Sequence, residues 1–390
     1  MSAPLRCDLL VVGAGPAGSA LAASAAGNGL RVILAEAGRH PRPKACAEYA
    51  SPRIAEELAR VGLGDDEWRG AAVPLRGMRV IVGRDSYDVR YADRHGSRTA
   101  WGLDRCRFDE ALARHAAARG ARLFEQTALE SLDWHDGRVV GGRLRGVAGR
   151  QAVEARWVVG ADGARSRVAR LVGVERPVRF PRRLGLIAHY EGIPELTDHG
   201  EMHVGRGSFI GLAPTPDGEL NVGMALPLDG RAAAEERFTA AIASLPAVAH
   251  RLRHSRRLTP IRGASPIGHR VAEVAGPGWL LVGDAAGFVD PFTGEGIHRA
   301  LRSARAAADA LNAPDTASAY RAERQAAFAA KEALTWLVQG MLVAPPLLRH
   351  VVRRLGARET LGLRLGSALG DCRPASDALS PAFLAAMLRP

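Results

Sequence analysis

An almost wholly apolar run, Cys7 to Val12, breaks into Gly13-Ala14-Gly15-Pro16-Ala17-Gly18 and leads straight into an alanine-rich segment. Few features constrain a fold more. A continuous apolar run of this length, bounded by glycine, fits a parallel strand buried on both faces. The glycines that follow have separable tasks: Gly13 allows the tight turn, Gly15 lets a pyrophosphate approach the backbone, and Gly18 lets the helix pack against the strand. The helix, about Ala17 to Asn28, ends at Gly29, and a second strand from Arg31 to Ala35 delivers Glu36. An acid at the end of that strand is placed to bind ribose hydroxyls, which favours FAD or NAD over NADP. The helix N-terminus supplies free N–H groups and the positive end of a dipole.

Two further glycine-bearing turns follow apolar strands. Gly160-Ala161-Asp162-Gly163-Ala164-Arg165-Ser166 comes after Trp157–Val159, and by itself reads equally as an Asp-Gly turn capping a helix. Gly283-Asp284, continuing through Pro291 to Gly294-Glu295-Gly296-Ile297, comes after Trp279–Val282 and opens a helix of roughly residues 295–311. Asp284, at a strand end, suits hydrogen bonds from sugar or ribityl hydroxyls. Gly294 and Gly296 leave amides facing a ligand at a helix start.

Between these blocks the periodicity changes. Alternation over 77–90 and over 184–227 reads as strands of a second, antiparallel sheet, and a helical piece is expected over about 231–253. Residues 315–390 read as mainly helical, broken at Pro345–Pro346. The expected fold class is α/β. A discontinuous Rossmann-type domain (1–75, 100–175 and 265–315) carries an inserted antiparallel-sheet substrate domain (76–99 and 176–264) and a helical C-terminal region (316–390).

The chain has 390 residues, enough for such an arrangement. Its 53 basic and 41 acidic residues leave a net charge of +12, but only Lys44 and Lys331 are lysines. The arginines are scattered, without a dense basic arm or interleaved aromatics, so nucleic acid is not an expected partner. The positive field favours anionic cofactors or an anionic membrane surface, and nothing else in the sequence supports membrane contact. No apolar run is long enough to span a bilayer, and no secretory pattern opens the chain. Cys7, Cys46, Cys106 and Cys372 form neither a CxxC nor a zinc pattern. No metal is expected, and a cytoplasmic location is.

The ordered triple of turns resembles flavoproteins of the p-hydroxybenzoate-hydroxylase fold, most of all the geranylgeranyl-reductase group and related polyketide hydroxylases. The likeness runs to the ending Gly370-Asp371-Cys372-Arg373-Pro374-Ala375. It implies bound FAD, with NADPH or NADH as a transient reductant. By resemblance, Gly13, Gly15, Pro16, Ala17, Gly18, Glu36 and Ala37 hold the ADP half. Arg105, in Arg105-Cys106-Arg107-Phe108-Asp109, contacts phosphate and ribityl. Asp162 and Gly163 serve FAD and the pyridine nucleotide. Gly283 and Asp284 serve the ribityl region, and Pro291, Gly294, Gly296 and Ile297 the pyrimidine edge of the flavin.

The loop Pro43-Lys44-Ala45-Cys46-Ala47-Glu48-Tyr49 departs from the reductase group, which commonly has glycine after the cysteine. Cys46, Glu48 and His298 are the candidate catalytic residues; Tyr49, His189, Tyr190, His203 and Phe209 are the candidate pocket. Three reactions fit. The favoured one is NAD(P)H-driven monooxygenation of a hydrophobic aromatic or polyketide substrate by molecular oxygen, through a flavin C4a-hydroperoxide. The alternative is reduction of an isoprenoid or polyketide double bond. Halogenation is disfavoured: no Trp-x-Trp occurs, and no lysine lies between Lys44 and Lys331.

Overall fold

The computed structural model describes residues 3–228 and 232–389. The outer ends of the first and last expected segments, residues 1, 2 and 390, lie outside these, as does position 231, where the helical piece was expected to begin.

The first sheet is built around five parallel strands. Their order is Arg122–Phe124, Val32–Ala35, Leu5–Val12, Gly149–Gly160 and Trp279–Leu281. The long strand Gly149–Gly160 also carries an antiparallel extension, Arg138–Gly146 and Ala128–His135, on its outer half. The middle strands read as unbroken apolar runs because helices cover both faces, and Leu9, Leu10 and Val11 have no exposed surface.

The helix Pro16–Gly27 starts with Pro16 in its first turn, where a missing N–H costs nothing. Its residues from Pro16 to Ala23 are all buried. Small side chains let it lie between the sheet and the helices Arg105–Ala118 and Gly296–Ala310. The three glycine turns therefore sit together. Val12, Ala35, Gly160 and Leu281 end adjacent parallel strands, with Val12 in register with Gly160 and Gly160 with Leu281. Strand order reverses beside Leu5–Val12, and open α/β sheets bind ligands at such a crevice.

The second sheet has nine strands. Its main path runs Arg256–Arg257, Arg183–Glu191, Leu220–Pro227, Phe209–Pro214, Gly200–Val204, Gly77–Val82, Asp85–Asp93, Gly96–Arg98. The alternating segments meet as antiparallel neighbours, with one exception. Gly200–Val204 pairs with Gly77–Val82 in parallel, Gly200 opposite Met78 and Val204 opposite Val82. Here the sheet is mixed rather than antiparallel: two separate insertions meet, and no hairpin dictates their direction.

The piece expected as one helix over 231–253 is two, Ala234–Ala243 and Pro246–Leu252, because Pro246 can only start a helix. These cover one face of the second sheet, packing Phe238, Val248 and Leu252 on Leu186, Ile210 and Val222. The C-terminal helices Thr316–Leu342, Pro345–Ala357 and Glu359–Leu369 cover Gly77–Val82 and Asp85–Asp93. Among the described residues no helix is long and apolar enough to cross a membrane.

Candidate active site

The three turns and the loop Arg42–Tyr49 enclose one cavity of about 480 Å³ between the two sheets. In the first turn the three glycines behave differently. Gly13 has φ +101°, and a Cβ there would lie 2.6 Å from the Ala161 carbonyl oxygen. A Cβ on Gly18 would lie 1.8 Å from the Gly13 oxygen, so this glycine serves packing and does not line the cavity. A Cβ on Gly15 would meet nothing nearer than an Arg42 nitrogen at 3.8 Å, so this position is open for a ligand. Pro16, Ala17 and Ala37 line the same space.

Glu36 is buried, and its carboxylate accepts the backbone N–H groups of Ala14 (2.9 Å) and Gly38 (2.8 Å). Arg42 adds an ion pair at 3.2 Å. The acid thus fastens the glycine turn to its own strand end while its remaining edge lines the cavity.

Asp284 also lines the cavity, and among the described residues nothing donates a hydrogen bond to its carboxylate. Burial pushes its pKa up, against the pull of Lys44, Arg105, Arg299 and His269. A carboxylate so placed is free to accept hydrogen bonds from the hydroxyls of a ligand. Lys44, one of the two lysines, lines the mouth, 3.5 Å from where a Gly163 Cβ would be. Gly283, Pro291, Gly294, Gly296 and Ile297 complete this wall.

Asp162 lines the cavity, and its carboxylate is supplied with donors by the protein. It accepts from Ser166 Oγ (2.6 Å), Arg167 N (2.6 Å) and Val168 N (3.2 Å), capping the helix Arg167–Leu171. Gly163 beside it, φ +78°, is open toward Lys44.

Where this cradle meets the second sheet lie Cys46, Glu48, Tyr49 and Arg105. Arg105 is buried and held in a two-point bridge by Asp109, both contacts 2.8 Å. Its guanidinium also faces the Cys46 thiol. Glu48 N–H donates to Cys46 Sγ at 3.3 Å, and Glu48 adopts the left-handed φ of +57° that this approach requires. Its carboxylate is saturated by His189 Nε2 (2.6 Å), Asn221 Nδ2 (2.8 Å) and Arg105 N (3.1 Å). Burial alone would lower the His189 pKa; the Glu48 hydrogen bond and charge outweigh it and raise the value.

Beyond this cluster the lining turns apolar: Met78, Ile187, Met202, Phe209, Met224 and Ile267.

Four expected residues are placed elsewhere. His298 does not line the cavity; its Nδ1 lies 2.8 Å from an Asp371 oxygen on the far side of the loop. His189 binds Glu48 behind the wall instead of forming it. Tyr190, the next residue on the strand, points to the opposite face and packs with the helix-covered cluster. His203 pairs with Glu201 at 2.8 Å, also off the cavity. Tyr49 and Phe209 do line it. Asn221 escaped the sequence reading, although a lone amide in the apolar strand Leu220–Pro227 was a signal.

The profile of the FAD binding domain family matches residues 6–330. The chain belongs to that family. It is an FAD-dependent oxidoreductase. Among curated relatives, the menaquinone reductase of Mycolicibacterium smegmatis is 32% identical over 322 residues, 78% of this chain and 76% of its own length. The digeranylgeranylglycerophospholipid reductase of Methanosarcina acetivorans is 29% identical, covering 78% and 74%. Among solved structures, a geranylgeranyl bacteriochlorophyll reductase-like protein from Thermoplasma acidophilum superimposes with TM-score 0.80 at 23% identity, over 99% of this chain and 96% of that one. A myxobacterial chondrochloren halogenase gives TM-score 0.74 at 27% identity, over 79% and 75%.

The residues present fit FAD. The open Gly15, the carboxylates of Glu36 and Asp284, and the cations Arg42 and Lys44 answer in order to pyrophosphate, hydroxyl and phosphate groups along one cavity.

Proposed function

We propose that this FAD-dependent oxidoreductase reduces a carbon–carbon double bond in a long, apolar, isoprenoid-type substrate, with NADH or NADPH as the external reductant. The carrying observation is a junction. The dinucleotide cradle opens onto an apolar sheet face, and the Cys46 thiol stands between them beside Arg105. The curated relatives named for reduction of menaquinone and of digeranylgeranylglycerophospholipid support this reading over hydroxylation, which the Cys46–Tyr49 loop had favoured.

FAD, when bound, supplies hydride chemistry. The apolar face, rich in methionine and so adaptable in shape, holds the chain of the substrate and excludes water. Cys46 donates the proton to the carbon adjacent to the one that takes hydride. The Arg105 guanidinium and the Glu48 N–H, both within the same cluster, orient the Cys46 sulfur. Asp109 keeps Arg105 in place, and the saturated Glu48 carboxylate, held by His189 and Asn221, keeps the loop in its strained form.

The test is anaerobic. Protein reduced under argon and mixed with a polyprenyl quinone or a geranylgeranyl compound is expected to reoxidise and yield the saturated product. Cys46→Ser should slow that step by roughly 10²-fold, the scale of one general acid, without slowing reduction by NAD(P)H. Absence of anaerobic turnover, with oxygen-dependent hydroxylation of a phenolic substrate instead, would overturn the proposal.

A further inference from the structure

Lys331, on the helix Thr316–Leu342, is buried and does not line the cavity. Its ammonium is an ion-pair partner of Glu295 and lies 3.3 Å from Asp371 Oδ1. It also donates to the carbonyls of Ala368 and Leu369, each at 2.8 Å. Asp371 in turn lies 2.8 Å from His298 Nδ1, and Thr293 Oγ donates to Glu295 at 3.1 Å. A buried carboxylate, a half-buried one, a buried ammonium and a histidine therefore form one cluster at the joint between the C-terminal region and the third turn.

The cluster grips the chain at a particular place. Glu295 stands between Gly294 and Gly296, and both glycines line the cavity. Gly294 has φ +69°, and a Cβ there would lie 2.7 Å from Tyr49. The loop is thus pressed against Tyr49 on one side and tied through Glu295 on the other. Asp371, held down at about 2 by Lys331 and His298 against the upward effect of burial, stays charged. It belongs to the Gly370–Ala375 ending, which the proposed reaction does not use.

We propose that Lys331 is a positioning residue for the cofactor: by pairing with Glu295 and Asp371 together, it fixes the loop Gly294–Ile297 against the flavin. This rests on the FAD site described above and makes the C-terminal region part of that site.

Lys331→Met removes the ammonium: buried Glu295 loses its ion-pair partner, and Asp371 is left with His298 alone. The Kd for FAD is expected to rise about tenfold, with a changed visible spectrum of the bound flavin and a lowered reduction potential. The double variant Lys331→Met/Glu295→Gln removes one charge of each sign. It should recover FAD affinity to within about threefold of the parent. Glu295→Gln alone keeps Lys331 paired with Asp371, and serves if Lys331→Met does not fold. It should weaken FAD binding about threefold and shift the spectrum the same way. Parental affinity and spectrum in Lys331→Met, or in Glu295→Gln where that is the variant available, would overturn the proposal. So would a double variant no better than Lys331→Met. A parent protein that takes up no FAD would instead remove the cofactor assignment itself.

Discussion

A single carboxylate can be read from its partners. Glu36, Glu48 and Asp162 are each supplied with donors by the protein, whereas Asp284 has none among the described residues. Asp284→Ala should therefore weaken FAD binding at least about tenfold, since a hydrogen bond from a hydroxyl to a charged group is worth about 1.5–3 kcal/mol. Flavin fluorescence titration reads this directly, and thermal stability of the apoprotein should not fall. His189 makes the converse prediction. Its raised pKa means that the charged pair with Glu48 stabilises the fold fully below about pH 6.5 and loses that contribution as pH rises through the higher folded value. The melting-temperature gap between the parent and His189→Gln should be largest near pH 6 (about) and should narrow toward about pH 9. A gap that widened with pH would contradict the assignment. The sequence made the residue types legible but not these pairings. Glu48 and His189 are 141 residues apart, and no local pattern predicts that meeting.

At the scale of the element, the glycine turn was legible because its chemistry is local. Strand, turn, helix and terminal acid constrain one another within a single short unit. The structure adds a distinction the motif alone lacks. Gly18→Ala would place a Cβ 1.8 Å from backbone and should destabilise the protein by about 1–3 kcal/mol or more, read as a lower urea midpoint. Gly15→Ala meets only an Arg42 nitrogen at 3.8 Å, an ordinary contact, so the midpoint should hold while FAD affinity falls. Equal losses of stability in both variants would refute the division of labour. Alternation likewise located the strands Arg183–Glu191 and Leu220–Pro227, yet it could not say which face meets the cavity. Period two fixes that two faces differ, and tertiary packing decides which is inside. Ile187 faces the cavity for that reason, and Tyr190 does not.

Across the whole molecule, Arg183 of the second sheet, Asp290 of the third turn and Gln339 of the long C-terminal helix meet in one buried contact. Each comes from a different part of the fold, so this contact ties the second sheet to the third turn and the C-terminal helix. Asp290→Ala strands a buried guanidinium and should cost about 3–5 kcal/mol in denaturant titration; Arg183→Met with Asp290→Leu should cost less.

The parallel seam between Gly200–Val204 and Gly77–Val82 has a consequence in time. On the ribosome the hairpin Gly77–Asp93 emerges first, and its outer edge waits unpaired until Gly200–Val204 follows, on the order of 10 s at ordinary rates of synthesis. During that interval Met78, Val80 and Val82 lie on a bare strand edge of the kind that recruits other chains. Soluble yield should therefore respond to slower translation and to chaperone supply more sharply than the finished protein's stability would suggest.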